Sequence, residues 1–180
     1  MSVTQARPKA SWDVLIPAES IAERVREIGA RITEDYAGQR PILVTILKGG
    51  FVFVSDLMRA IGIPHEVDYL SVQHTGPWDR PDPDVRILHD VRGPVSGRHV
   101  LVVEGIVGTG ATLKFVRDYL EFRGPKSLHF CSLLRKKVAG QAPIPLRYAG
   151  FDIADEFVVG YGLDHQQRHR NLPFIARFNP

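Results

Sequence analysis

The chain has 180 residues, enough for one compact domain with a real core. Its 44% hydrophobic and 24% charged content is that of an ordinary soluble globular protein, and no apolar run approaches the roughly 18 residues needed to span a bilayer. A net charge of +3 permits an acidic ligand, but Arg135-Lys136-Lys137 is too short a basic run to make nucleic acid the main partner. The single cysteine, Cys131, lies in the apolar run Leu128 to Leu134, so it is expected in the core and no intrachain disulfide can form. With no apolar signal core at the N-terminus and no membrane segment, the expected location is the cytoplasm.

Residues Met1 to about Ser11 read as loose, and 1–15 are set apart as a flexible N-terminal tail ahead of a single domain at 16–180. Ser20 stands where it can cap a helix whose Ile21, Val25, Ile28 and Ile32 form one apolar face, ending near Gly38. Pro41 opens a strand from Ile42 to Leu47. Lys48-Gly49-Gly50 then turns into a second helix carrying Phe51, Val54, Met58 and Ile61. His65 to Val72 reads as another strand. The stretch His74 to Asp84 has three prolines, one glycine and no period, which predicts a long, mobile, lid-like loop. Val85 to Leu88, Ser127 to Leu134, Tyr148 to Ile153 and Glu156 to Val159 are further short strand candidates.

The most informative stretch runs from His99 to Phe122. Val100 to Val103 is all apolar and predicts a strand buried on both faces. From Thr112 onward, Phe115, Val116, Tyr119, Leu120 and Phe122 fall at roughly helical spacing. Gly105, Gly108 and Gly110, with Thr109 and Thr112, lie between. A glycine-rich turn leading from a buried strand into a helix points backbone N–H groups outward at the positive helix end, which suits a phosphate; a merely tight turn is the competing reading. Gly105 to Thr112 has the spacing of a P-loop, but Ala111 stands in place of its lysine. Gly108-x-Gly110 lacks the third glycine of a dinucleotide fingerprint, because Leu113 stands there.

Alternating helices and strands argue for an α/β fold with a mainly parallel sheet flanked by helices, its ligand beyond the carboxyl ends of the strands. Val100 to Thr112 resembles the phosphoribosyl pyrophosphate motif of type I phosphoribosyltransferases. Leu47 to Gly50, Glu156 to Asp164 and Arg170-Asn171-Leu172-Pro173 resemble the other loops of the hypoxanthine-guanine branch, in that family's order, from about Ile21 to Phe178. The resemblance implies a small hood made from terminal segments. It also implies transfer of 5-phosphoribosyl from phosphoribosyl pyrophosphate to a purine base, in purine salvage, with release of pyrophosphate and help from Mg2+. A purine nucleoside monophosphate would be the product, and a homodimer or homotetramer the assembly.

By the same resemblance, Gly108, Thr109, Gly110, Ala111 and Thr112 would hold the 5′-phosphate, and Lys48, Gly49 and Arg170 the pyrophosphate. Lys136 would meet the purine 6-oxo group, Phe157 would stack on the base and the Val158 backbone would read its edge. Glu104 and Asp164 would hold the metal, and Glu104, Lys136, Asp164 and Arg170 would form the catalytic set. Read without the family, Lys48 is a turn lysine, Lys136 part of a solvated cluster and Phe157 a core residue. His165 and His169 lack the third ligand that zinc would want.

Three places depart from the pattern, the third being the lid, where His74-Thr75 stands for the family's Ser-Tyr pair and His74 or Asp79 is a candidate substitute proton acceptor. Gly105 and Gly108 replace the family's two motif aspartates, the second being the group that would handle the proton on the purine imidazole nitrogen. Three readings follow: a working transferase with altered chemistry or a different base, a purine-nucleotide-binding sensor or regulator, or a variant changed at these sites. Returning an aspartate to 108 is expected to raise turnover, and one at 105 to improve ribose and magnesium handling.

Overall fold

A computed structural model describes residues 12–75, 84–138 and 144–179. The elements run β1 (Asp13–Ile16), α1 (Ala18–Asp35), β2 (Ile42–Leu47), α2 (Phe51–Ala60), β3 (Glu66–Thr75), β4 (Asp84–His89), β5 (His99–Val107), α3 (Ala111–Glu121), β6 (Ser127–Lys136), β7 (Tyr148–Ile153), β8 (Val158–Val159) and β9 (Ile175–Arg177). Six strands form one sheet in the order β4-β3-β2-β5-β6-β7, parallel except for the antiparallel pair β3/β4.

Alternation along the central strands builds two cores. Leu43, Leu101 and Val103 face α1 and α2, joining Ile21, Val25, Ile28, Ile32, Phe53 and Leu57. Val44, Ile46, Val100 and Val102 face the other way, onto Leu113, Val116 and Leu120 of α3. Burial on both faces explains why β2 and β5 read as unbroken apolar runs. Helices α1 and α2 cross closely at Gly29, where an added Cβ would lie 2.6 Å from Ala60. Cys131 is fully buried, and burial pushes its thiol pKa up, out of reach of ordinary thiolate chemistry.

Several boundaries differ from the sequence reading. Helix α1 starts at Ala18 behind Pro17, with no side-chain cap, so Ser20 lies inside the first turn. Strand β5 continues through Glu104 to Val107, leaving only 108–110 as loop, because β6 still offers partners down to Arg135. The expected loop His74 to Asp84 loses its ends to β3 and β4, and its centre, 76–83, lies outside the described residues. The tail boundary at residue 15 is also displaced. Strand β1 begins at Asp13 because its backbone pairs with β9, a long-range contact with no local signal; residues 1–11 lie outside the described residues.

Strands β1, β9 and β8 form a second, antiparallel sheet, which is the hood from terminal segments. The large sheet reverses its strand order between β2 and β5. That is the topological switch point, and the loops after both strands open there.

Candidate active site

Strand β2 pairs with β5 only as far as Thr45 and Val103, while β5 pairs with β6 down to Arg135. The last residues of β5 therefore have a neighbour on one side, and the Lys48-Gly49-Gly50 turn fills part of the other. The Leu47–Lys48 peptide is cis. Cβ atoms built on Gly105 and on Gly162 would each lie 2.7 Å from the Gly49 carbonyl oxygen. Real Cβ atoms do not approach an oxygen so closely, so the Gly49 carbonyl sits in a slot between two residues that carry no side chain.

Glu104 lies beneath this slot. Its Oε1 accepts from the Gly105 N–H at 3.1 Å, and its Oε2 is enclosed without a hydrogen-bond partner among the described residues. Burial pushes its carboxyl pKa up to about 8, against which the Gly105 and Ile106 N–H groups pull only partly. Across the turn, Asp164 receives the Arg170 guanidinium at 2.7 Å and the Gln167 N–H at 2.8 Å. Arg170 also donates to the Gly162 carbonyl at 2.6 Å, and Lys48 Nζ to Gln167 Oε1 at 3.3 Å. Hydrogen bonds thus join Lys48, Gln167, Asp164, Arg170 and the Gly162 carbonyl, and Glu104 borders them by packing, its Oε1 3.5 Å from a Cβ built on Gly49.

A second group lies around Gly108. Gly110 adopts φ +82°, a left-handed conformation that lets the chain turn directly into α3, and glycine accepts it without strain. Ala111 N–H lies 3.4 Å from Thr109 Oγ1, so exposed Thr109 and half-buried Thr112 stand at the first turn of α3. This end of a helix favours an anion. Gly108 has ordinary backbone geometry, and among the described residues the nearest heavy atom to an added Cβ is Lys136 Cδ at 4.0 Å.

The basic run at the end of β6 is sorted by the structure. Arg135 forms a two-pronged pair with Asp152 at 2.6 and 2.9 Å, and Lys137 approaches the same carboxylate at 3.9 Å. Lys136 alone goes to Asp155, at 3.0 Å. Phe157 is 47% exposed rather than core, as stacking on a base would require. The His165 edge at 5.7 Å and Phe178 at 6.2 Å brace it from behind, while Val158 is buried in β8. His165 and His169 both lie against Phe178 in tilted ring contacts, at 4.7 and 5.4 Å, and no described group of three or more His, Cys, Asp or Glu could hold a metal.

Sequence reasoning missed Gln167, which bridges Lys48 and Arg170, and Asp155, the partner of Lys136. Gly162 was quoted as part of a motif, but its contact with Gly49 depends on tertiary packing. No helix among the described residues is long and apolar enough to cross a membrane.

The phosphoribosyl transferase domain model matches residues 11–166, and the chain belongs to that family. It is 42% identical over 171 residues to the hypoxanthine phosphoribosyltransferase of Salmonella typhimurium, covering 94% of this chain and 96% of that one. Identity is also 42%, over 173 residues, to the hypoxanthine-guanine phosphoribosyltransferase of Mycobacterium tuberculosis, with 93% and 86% covered. The crystal structure of a Bacillus anthracis hypoxanthine-guanine phosphoribosyltransferase superposes with a TM-score of 0.89 at 38% identity, covering 93% and 98% of the two chains.

Proposed function

We propose that the protein transfers 5-phosphoribosyl from phosphoribosyl pyrophosphate to hypoxanthine or guanine and releases pyrophosphate, a purine salvage reaction. The observation that carries this reading is the opening of the loops after β2 and β5 at one switch point, in a chain 42% identical to a hypoxanthine phosphoribosyltransferase along nearly its full length. The N–H groups and hydroxyls from Gly108 to Thr112 take the 5′-phosphate at the head of α3. Lys48, Gly49 and Arg170 take the pyrophosphate, the guanidinium offering its planar fork. Lys136 donates to the 6-oxo group, Phe157 stacks on the ring and the Val158 backbone reads its edge.

Mg2+ suits the Glu104 and Asp164 carboxylates, since this ion is commonly held by one or two carboxylates plus substrate phosphates. The enclosed, unpartnered Glu104 Oε2 fits a cation, and Asp164 would share its charge between the ion and Arg170. Bound there, the ion supplies positive charge against the departing pyrophosphate. We infer a homodimer or homotetramer, which light scattering on the purified protein tests.

A second reading, a purine-nucleotide-binding regulator, is favoured by glycine at both 105 and 108 beside an intact phosphate loop. One experiment separates the two: pyrophosphate release with hypoxanthine, guanine and xanthine, run beside titrations of GMP and IMP. Turnover with either of the first two supports the transferase, while tight binding without turnover supports the regulator. No binding of either nucleotide by folded protein rejects the site.

A further inference from the structure

Lys136 and Asp155 differ sharply in exposure, 19% against 65% for the side chains. The lysine stem is covered, and its ammonium emerges where a single acid meets it at 3.0 Å. That acid lies in the segment between β7 and β8, two residues ahead of Phe157. The pair therefore ties the end of β6 to the segment that carries the stacking ring. The neighbouring cations do not share it, because Arg135 and Lys137 are both turned to Asp152.

Gly108 makes this arrangement consequential. An acidic side chain at 108 would stand beside the Lys136 stem, 4.0 Å from its Cδ, and could compete for the ammonium. With glycine there, Asp155 is the acid paired with Lys136 among the described residues. A lysine has several freely rotating bonds, and fixing them during binding costs entropy. A partner that fixes them beforehand lets the base meet a donor already in place.

We propose that Asp155 is a positioning residue that holds the Lys136 ammonium at the 6-oxo edge of the purine and so sharpens the preference for 6-oxopurines. This rests on the purine transferase reading above. An ammonium offers only donors, so it complements an oxo group and opposes a 6-amino group. The effect of Asp155 falls on base recognition and leaves phosphate binding alone.

The test compares the native chain with Asp155→Asn and Asp155→Glu, titrating GMP, AMP and ribose 5-phosphate, and measuring steady-state kinetics with hypoxanthine. Asp155→Asn is expected to weaken GMP binding by about 3- to 5-fold, the scale of an exposed charge pair, leaving ribose 5-phosphate unchanged and the gap between GMP and AMP narrowed. The KM for hypoxanthine should rise by a similar factor with kcat nearly constant. Asp155→Glu should recover most of the loss, and the melting temperature should not move. Unchanged GMP binding in Asp155→Asn overturns the inference while the transferase reading stands. Equal weakening of GMP and ribose 5-phosphate, or a lowered melting temperature, makes Asp155 structural and overturns it too. A large fall in kcat that Gly108→Asp restores would make Asp155 a proton acceptor instead. If the native chain binds no GMP, the transferase reading fails and takes this inference with it.

Discussion

Gly105 and Gly108 are three residues apart at the end of β5, yet their surroundings are opposite. Around Gly105 the space is closed: an added Cβ would lie 2.7 Å from the Gly49 carbonyl oxygen and 3.3 Å from the Leu163 side chain. Around Gly108 the nearest described atom is a flexible lysine methylene at 4.0 Å, and the backbone is not left-handed. A glycine in a binding motif can thus mean two things. One fills no space because another backbone occupies it; the other leaves room for a side chain.

The largest effect expected from this contrast concerns Glu104, at the closed end. Its carboxyl ionises near pH 4.5 when exposed and near pH 8 when folded, so the native state binds more protons than the unfolded state between those values. Stability should be full below about pH 4.5, fall as pH rises toward 8 and level off above, by on the order of several kcal/mol. Glu104→Gln should flatten that slope in melts between pH 5 and 9. A native melting curve independent of pH in that range would show that the site is open to water.

Next comes the open end. Gly108→Asp should raise pyrophosphate release with hypoxanthine on the order of 10²-fold, because a positioned proton acceptor acts mainly in the transition state. The melt should stay nearly unchanged, since among the described residues the nearest contact to an added Cβ is at 4.0 Å and φ is not left-handed. A folded but no faster variant would break the idea that only chemistry was removed at 108.

Gly105 should respond in the opposite sense, against the expectation from sequence that an aspartate would help there. Gly105→Ala, and Gly105→Asp more so, must push the Gly49 turn outward, at a cost of about 1–3 kcal/mol. For a chain of this size each kcal/mol lowers the melting temperature by roughly 2–4 °C. Affinity for phosphoribosyl pyrophosphate should fall with it. The smallest effect belongs to the hydroxyls at the head of α3. Thr109→Val and Thr112→Val should each weaken GMP binding by about 1–2 kcal/mol.

The parts legible in the sequence were those built by near neighbours. Ile42 to Leu47 and Tyr148 to Ile153 coincide with β2 and β7, because runs of apolar residues bounded by turns leave little choice. The glycine-rich turn between β5 and α3 was visible because its glycines and threonines lie within a few positions. What escaped depends on distant segments. The strands β1 and β9 exist through each other, Gln167 matters through Lys48, and Asp155 matters through a lysine 19 residues earlier. Pattern alone favoured the core for Phe157, whereas the structure leaves it 47% exposed.

The slot that holds the Gly49 carbonyl also constrains history. Side chains at 105 or 162 would each press on the Gly49 carbonyl oxygen, so neither position accepts one unless the turn after β2 shifts. A lineage carrying this arrangement can gain an acid at 108 in a single substitution. At 105 it must first shift the turn after β2, a change neutral at best until the acid arrives. The order in which acids can enter at 108 and 105 is therefore set by one carbonyl oxygen. Reconstructed intermediates should tolerate 108 before 105 and lose stability in the reverse order.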